Sequence, residues 1–418
     1  MREWLADLGY EDPSVLDVIH ITGTKGKGST AAFTEAFIRA HSSNARPIKV
    51  GLYTSPHLVT ERERIKIDSQ PISEELFAST FFEMWDTLFK TRTKEEMPAY
   101  LQLLALLSIV IFMKEGVDVA IYEVHAGGRK DSTNVFDRPV AVGFTTIGLD
   151  HVELLGGSVE RIAWHKSGLM KPGKPAFSMA QPEVAVKAIL KDEASKLGSP
   201  LEFVNINNVL PEHRNVQLFV QRQNASLAIK LANAYLYLSG EALSEADIEE
   251  GVRLWNWPGR FQRVNRGTSE WFLDCAHNSL SIPVALSWYF SEVRSTSAPG
   301  RRNILVFGHE SSRDTYELIS MIVTLCAEHK FSFDLVILTP YDRYGKIIHS
   351  SAIVDEQNYW QSIQPLTNVL GASSLAHAIT LTEEHYPQHQ RQILITGSTH
   401  LVGQALGLMQ ARDKAGSA

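Results

Sequence analysis

A glycine-rich segment near the N-terminus has the residue types that bind phosphate. Residues 23–30 read GTKGKGST, after the apolar run DVIHIT and before a helix-like segment. Glycines let backbone N–H groups approach phosphate oxygens, and the start of a helix adds partial positive charge. A lysine can reach a terminal phosphate, and a serine hydroxyl suits Mg²⁺. We therefore predict a nucleotide-binding loop made of Gly23, Thr24, Lys25, Gly26, Lys27, Gly28, Ser29 and Thr30.

This loop is a variant of the usual pattern, in which Ser or Thr directly follows the lysine. Here Gly28 stands between Lys27 and Ser29. A glycine-rich turn with incidental lysines is the alternative interpretation. The order of strand, loop and helix favours phosphate binding.

The elements that must position this loop are buried strands that alternate with helices. Four runs rich in Val and Ile occupy 17–22, 48–54, 117–124 and 139–147, with helical segments at 74–90 and 98–115 between them. A second such series, with strands at 271–276, 303–308, 333–340 and 392–398, follows a Pro-Gly turn. Alternation of this kind is typical of α/β sheets. We predict a break near 256–268, which separates domains 1–260 and 261–418.

Composition limits the class of protein. Of the 418 residues, 40 are Lys or Arg and 47 are Asp or Glu, so the net charge is −7 and a nucleic-acid partner is not expected. The longest apolar stretch, 101–113, is too short to span a bilayer. Cys275 and Cys326 form no CxxC pair. The N-terminus shows no leader, so we expect a cytoplasmic location, and a mitochondrial form from another start site stays open. We also expect a monomer without a membrane partner.

Six segments in order carry a family resemblance. Besides GTKGKGST they are TSPHLVTERERIKIDSQPIS, EVHAGGRKDSTNV, LDHVELLGGSVERIAWHKSGLMKPGKPAF, WPGRFQ with LDCAHN, and ITGSTHLVG. Together they resemble the folylpolyglutamate synthase branch of the Mur ligases, and MPAYLQLLALL resembles its eukaryotic form. The match runs from about residue 1 to about residue 405, and no single motif carries it.

The resemblance implies an N-terminal P-loop ATPase domain of the Mur-ligase type and a smaller C-terminal Rossmann-like α/β domain. It implies an ATP-dependent amide ligase that adds L-glutamate to the γ-carboxyl of a folate through an acyl phosphate. The implied cofactors are ATP and Mg²⁺ at two sites, with K⁺ or another monovalent cation as a further candidate. The implied partners are small molecules: a reduced folate or another carboxylic acid, and L-glutamate.

The resemblance also assigns roles to residues of the first domain. Lys27, Glu123, His151 and Lys166 are the expected catalytic residues there, and Arg64 is an expected glutamate contact. Gln221 and Asn224 match the loop that contacts the nucleotide base, although Val220 replaces the family's usual histidine and Asn224 has a helix N-cap as its alternative role. The expected metal ligands are Ser29, Ser55, Glu123, His151 and, if carbamylated, Lys166.

Four residues of the second domain complete the expected site. By resemblance Arg260 and Asp274 contact ATP, while His277 and Ser398 contact glutamate and His277 is catalytic. Taken singly, four candidates of the first domain also have a structural reading: Glu123 as a helix cap, His151 as a core or loop histidine, Lys166 as a solvated or phosphate-contacting lysine, and Arg64 as part of a solvated charged edge.

The chain departs from the family pattern at several positions. His125 stands where the family has glycine, and a positive φ would strain it. Gly308 stands where asparagine is common, and Leu101, Leu103 and Ala105 replace aromatic and hydroxyl residues. These changes leave three alternatives open: an amide ligase for a non-folate carboxylic acid, a nucleotide-binding protein without ligase activity, and a P-loop kinase or simple NTPase, which the second-domain motifs disfavour.

Overall fold

The computed structural model describes residues 1–41, 47–295, 300–309, 312–343, 346–348 and 352–416. The chain forms two compact units. The first consists of Met1–Pro56 and Glu61–Asn256, and the second of His57–Thr60 and Trp257–Ala418. The division into domains 1–260 and 261–418 stays a prediction.

The first unit is built on an eight-stranded sheet. Its strands are β1 (Asp17–Thr22), β2 (Val50–Tyr53), β3 (Ile65–Ile67), β4 (Gln70–Pro71), β5 (Val119–Glu123), β6 (Ala141–Phe144), β7 (Ala176–Met179) and β8 (Leu201–Val204). The order across the sheet is β4-β3-β2-β5-β1-β6-β7-β8. All neighbours are parallel except β2–β3 and β3–β4.

Nine helices belong to the described part of this unit, apart from short 3₁₀ turns. They are α1 (Arg2–Asp7), α2 (Lys27–Ala40), α3 (Glu74–Thr91), α4 (Tyr100–Lys114), α5 (Val152–Leu155), α6 (Val159–Ser167), α7 (Val184–Leu197), α8 (Phe219–Leu236) and α9 (Glu245–Leu254). Helix α4 is almost entirely apolar because ten consecutive residues, 103–112, are buried. Helix α2 packs against α8 and α9, and Phe33 stacks on Trp255 with ring centroids 4.5 Å apart.

The second unit is a smaller α/β sandwich. Its strands are β9 (Gln262–Arg266), β10 (Ser269–Leu273), β11 (Arg302–Phe307), β12 (Leu335–Leu338), β13 (Tyr341–Arg343), β14 (Lys346–Ile348), β15 (Val369–Gly371) and β16 (Arg391–Thr396). Its helices are α10 (Ile282–Ser295), α11 (Ser312–Glu328), α12 (Ile353–Ile363), α13 (Leu375–His385) and α14 (Thr399–Gly416). The main sheet has the order β15-β12-β11-β16-β10-β9, and only β9 is antiparallel.

The predicted α/β class is confirmed. Every buried strand predicted from its apolar run exists, with ends shifted by at most a few residues. The crossover helices that connect parallel strands cover both faces of the sheet, which is why these strands read as apolar runs. Within the described residues, no helix is both long and apolar enough to cross a membrane.

Candidate functional site

The predicted phosphate loop joins β1 to α2 in the first unit. Backbone bonds hold it to the end of β6: the N–H of Thr24 donates to the Thr146 carbonyl at 2.8 Å, and that of Lys25 donates to the same oxygen at 3.3 Å. Gly26 has φ +88°, and a Cβ there would lie 2.4 Å from Asn224 Oδ1. Only glycine fits this position. Helix α2 then begins at Lys27, so its first N–H groups point toward the loop.

Glu123 is the last residue of β5 and links two other predicted residues. Its Oε2 accepts the backbone N–H of Ser55 at 3.0 Å. Its Oε1 lies 3.9 Å from the ammonium of Lys27, and both side chains are largely buried. The structure therefore brings Lys27, Ser55 and Glu123 together at the carboxyl end of a parallel sheet, where active sites of open α/β sheets form.

Lys166 is buried in the last turn of α6 and belongs to the same group. Its ammonium donates to the Gly23 carbonyl at 2.7 Å. Burial, and then the nearby charge of Lys27, lower the pKa of Lys166 to about 7. Lys166 is only 2% exposed, so its alternative reading as a solvated lysine is wrong.

His151 has a left-handed backbone, with φ +48°, at the start of α5. Burial lowers the pKa of its ring, and the charges of Lys27, Lys166 and Lys25 add to this effect, while Asp150 opposes it. The ring is thus held in its neutral form, which is the form that binds metals. Asp150, which the sequence argument did not single out, lies 3.7 Å from the Lys25 ammonium and accepts the His151 N–H at 3.0 Å.

Gln221 and Asn224 lie inside helix α8, and both are buried. Asn224 donates to Gln221 Oε1 at 2.8 Å, and its own Oδ1 accepts from Thr30 at 3.3 Å. Because α8 begins at Phe219, the alternative role of Asn224 as a helix N-cap is wrong. Both residues are instead tied to the phosphate loop.

Arg64 ends a 3₁₀ turn, Glu61–Arg64, just before β3. It is 3% exposed, so its reading as part of a solvated charged edge is wrong. Its carbonyl accepts the Thr54 N–H at 3.0 Å, one residue from Ser55, and its guanidinium lies 5.7 Å from the ring centre of Tyr100. Such a buried cation is suited to an anionic ligand.

The four predicted residues of the second unit lie near the carboxyl ends of β10 and β16. Asp274 follows β10, is 5% exposed, and accepts the N–H groups of Phe261 at 3.0 Å and Ala276 at 2.9 Å. Arg260 lies beside Cys275. Burial raises the pKa of the Cys275 thiol to about 11, and the positive charge of Arg260 opposes that rise.

His277 and Ser398 are brought close by the sheet, because the N–H of Gly397 donates to the Ala276 carbonyl at 2.9 Å. His277 Nδ1 lies 2.7 Å from the Cys275 carbonyl. Its own carbonyl lies 3.0 Å from a ring nitrogen of His309, a histidine that the sequence argument overlooked. The only sequence signal for His309 is that it directly follows Gly308, one of the departures from the family pattern.

His125, the main departure from the family pattern, is not strained. The positive φ falls on Gly127, at +79°, rather than on position 125. Tyr53 Oη lies 2.7 Å from Nε2 of His125, and Ser132 Oγ lies 3.0 Å from Nδ1. Both ring nitrogens are thus engaged by hydroxyls, which anchor the loop after β5.

The candidate metal ligands are single residues on separate elements. In the described ranges no group of three or more His, Cys, Asp or Glu side chains is arranged to hold a metal ion. Hydroxyls and one carboxylate suit Mg²⁺, which keeps several of its own waters and needs few protein ligands. Ser29 and Glu123, with Ser55 bonded to the latter, therefore fit that ion.

Known proteins resemble this chain over almost its whole length. Residues 21–233 match the Mur ligase middle domain. The folylpolyglutamate synthase of Neurospora crassa is 36% identical, over 99% of this chain and 85% of that one, and that of Saccharomyces cerevisiae is 35% identical, over 99% and 81%. The structure of Mycobacterium tuberculosis folylpolyglutamate synthase complexed with ADP and AMPPCP superposes with a TM-score of 0.77 at 25% identity, over 97% and 94% of the two chains. The chain belongs to the folylpolyglutamate synthase family of Mur ligases.

Proposed function

We propose that this protein uses ATP to join the amine of L-glutamate to the γ-carboxyl of a folate. Curated folylpolyglutamate synthases match the chain along 99% of its length. The observation that carries the proposal is Glu123, which lies between the Lys27 ammonium and the Ser55 N–H at the mouth of the phosphate loop.

The chemistry explains why such a site is needed. A carboxylate is a poor electrophile, so ATP first phosphorylates it, and the acyl phosphate then has a good leaving group. The amine attacks the acyl carbon, the C–N bond forms and phosphate departs. Lys27 and the N–H groups at the start of α2 stabilise the negative charge on the transferred phosphoryl group.

We assign Ser29, Ser55 and Glu123 to one Mg²⁺, and Glu123, His151 and a carbamylated Lys166 to a second. The bound ion supplies positive charge to the phosphate oxygens. A pKa of about 7 leaves much of Lys166 as the neutral amine near pH 7, which is the form that reacts with CO₂. K⁺ or another monovalent cation is a further candidate, with no residue assigned to it.

The remaining residues are assigned to substrates. Gln221, Asn224, Arg260 and Asp274 contact ATP, and Arg64, His277 and Ser398 contact glutamate. Arginine and histidine suit a substrate with two carboxylates. We further propose that the protein acts as a monomer in the cytoplasm, which light scattering and cell fractionation would test.

The test is a ligation assay with MgATP, glutamate and a reduced folate, followed by mass spectrometry of the products. A folate with added glutamyl units, together with ADP, is expected. ADP without a glutamylated folate would contradict the folate assignment and direct the search to another carboxylic acid. Leu101, Leu103 and Ala105, like His125, depart from the family pattern and would then be examined first. Neither product, despite ATP binding, would contradict ligase activity.

A further inference from the structure

Tyr341, at the start of β13 in the second unit, has a buried hydroxyl with no evident structural use. The residue is 2% exposed, and its ring packs in the core with Leu401 and Val402 of α14. Among the residues that the structure describes, none forms a hydrogen bond with this hydroxyl. A buried polar group without a partner lowers stability, so its presence calls for a reason.

Ser398 is a neighbouring side chain whose hydroxyl could accept a hydrogen bond from Tyr341. Burial raises the pKa of Tyr341, and the neighbouring Ser398 hydroxyl partly opposes that shift. Ser398 directly precedes α14, and its Oγ accepts the His400 N–H at 3.2 Å, so it caps the helix. The His400 ring lies nearly parallel to that of Tyr341, with centroids 6.4 Å apart.

Backbone packing fixes this arrangement, because three strand ends converge here. A Cβ on Gly308 would lie 2.3 Å from the Thr339 carbonyl, and one on Gly397, where φ is +114°, would lie 2.5 Å from the Gly308 carbonyl. The chain leaving β12 toward Tyr341 therefore lies against Gly308, which in turn lies against the residue before Ser398. This contact also explains Gly308, since asparagine at that position would collide with Thr339.

We propose that Tyr341 is a positioning residue for the amino-acid substrate, acting through Ser398. In the glutamate-bound protein, the Tyr341 hydroxyl donates to Ser398 Oγ, and the Ser398 proton is then directed to a carboxylate of the glutamate. The start of α14 favours the same negative charge. This inference rests on the proposed function, in which Ser398 contacts glutamate.

The substitution Tyr341→Phe removes only the hydroxyl and keeps the packed ring. We expect the KM for glutamate to rise roughly 3- to 10-fold, the effect of losing one neutral hydrogen bond. The kcat and the KM for ATP should stay the same. The Tm of the glutamate-free protein should not fall, because in that state the Tyr341 hydroxyl forms no hydrogen bond with the described residues that the substitution could remove.

Tyr289→Phe is the matched control. Tyr289 is a buried tyrosine of the same unit, and its hydroxyl donates to the Gln392 carbonyl at 2.8 Å. This variant should lower Tm and leave the KM for glutamate unchanged. In a Ser398→Ala background, Tyr341→Phe should add no further increase in KM, because both act on one contact.

An unchanged KM in Tyr341→Phe, or an effect that adds fully to that of Ser398→Ala, would overturn the inference. A fall in Tm with parallel losses for ATP would assign Tyr341 a merely structural role and overturn it too. Calorimetric titration of glutamate into the MgADP-bound wild type, and into the MgADP-bound Tyr341→Phe variant, tests the inference separately from the proposed function. Weaker binding in the variant supports the inference even if no folate is glutamylated, whereas a wild type that ligates but shows no difference from the variant refutes the inference alone.

Discussion

Gly128, in the loop after β5, offers a sharp test of how the site is held. A Cβ at this position would lie 2.7 Å from the carbonyl oxygen of Lys166 and 2.9 Å from that of His165. Ordinary contacts begin at 3.4 Å, so in Gly128→Ala the end of α6 must retreat by about 0.7 Å. Overpacking of this kind costs about 1–3 kcal/mol. The same shift displaces Lys166, whose ammonium contacts the Gly23 carbonyl at 2.7 Å.

Two measurements should therefore change together. Thermal unfolding should shift down by roughly 2–12 °C, at about 2–4 °C per kcal/mol for a unit of this size. Ligation kcat should fall at least about 10-fold, because displacements near 1 Å can cost about 100-fold.

Gly157→Ala is the control for this variant. Nothing lies within 4 Å of a Cβ at position 157, and its φ is not positive. That variant should keep full activity and the same or slightly higher Tm. If Gly128→Ala matched Gly157→Ala in both Tm and kcat, the close contact between the loop and α6 would not matter, and the reasoning would be refuted.

Three further predictions concern single charges and hydroxyls. Glu123→Ala should abolish ligation, whereas Glu202→Ala, which removes only an exposed ion pair with Lys230, should not; equal turnover would refute the role of Glu123. Ser398→Ala should mainly raise the KM for glutamate, and an effect confined to ATP would place it elsewhere. Burial raises the pKa of Glu35, whose Oε1 accepts the Ser69 N–H at 2.5 Å. The stability that protonated Glu35 gives the wild type is therefore lost as pH rises through this raised pKa. Gln carries no such charge, so the urea-unfolding free energy of Glu35→Gln should rise relative to that of the wild type from acid to neutral pH. A difference between the two proteins that stays constant with pH would contradict this.

The fold could be predicted where burial leaves a clear pattern. Strands such as β1 and β5 are covered on both faces and show as continuous Val and Ile runs. Edge strands carry no such signal. β3 and β4 are only two or three residues long and lie within the charged stretch ERERIKIDSQP, and β9 alternates exposed and half-buried positions. Their pairing is decided by neighbours that the local sequence does not reveal.

The candidate site divides in the same way. The phosphate loop and Glu123 could be predicted because the chemistry requires glycines, a lysine and a strand-end carboxylate in fixed order. The sequence could not reveal that His125 is held by two hydroxyls, since Tyr53 and Ser132 come from different segments. Likewise, the need for Gly308 depends on the path of the chain after β12.

The charges around the phosphate loop explain why an anion is the expected ligand. Lys25, Lys27 and Lys166 all act on His151, and Lys25 and Lys27 both lower the pKa of Lys166. In the described structure Asp150 and Glu123 form ion pairs with Lys25 and Lys27 at 3.7 and 3.9 Å, and the charge of Asp150 opposes the lowering of the Lys166 pKa. A chain with a net charge of −7 thus concentrates mutually repelling lysines at one helix start. Bound phosphate relieves that repulsion, so part of the cost of assembling the lysines is recovered only when the nucleotide binds.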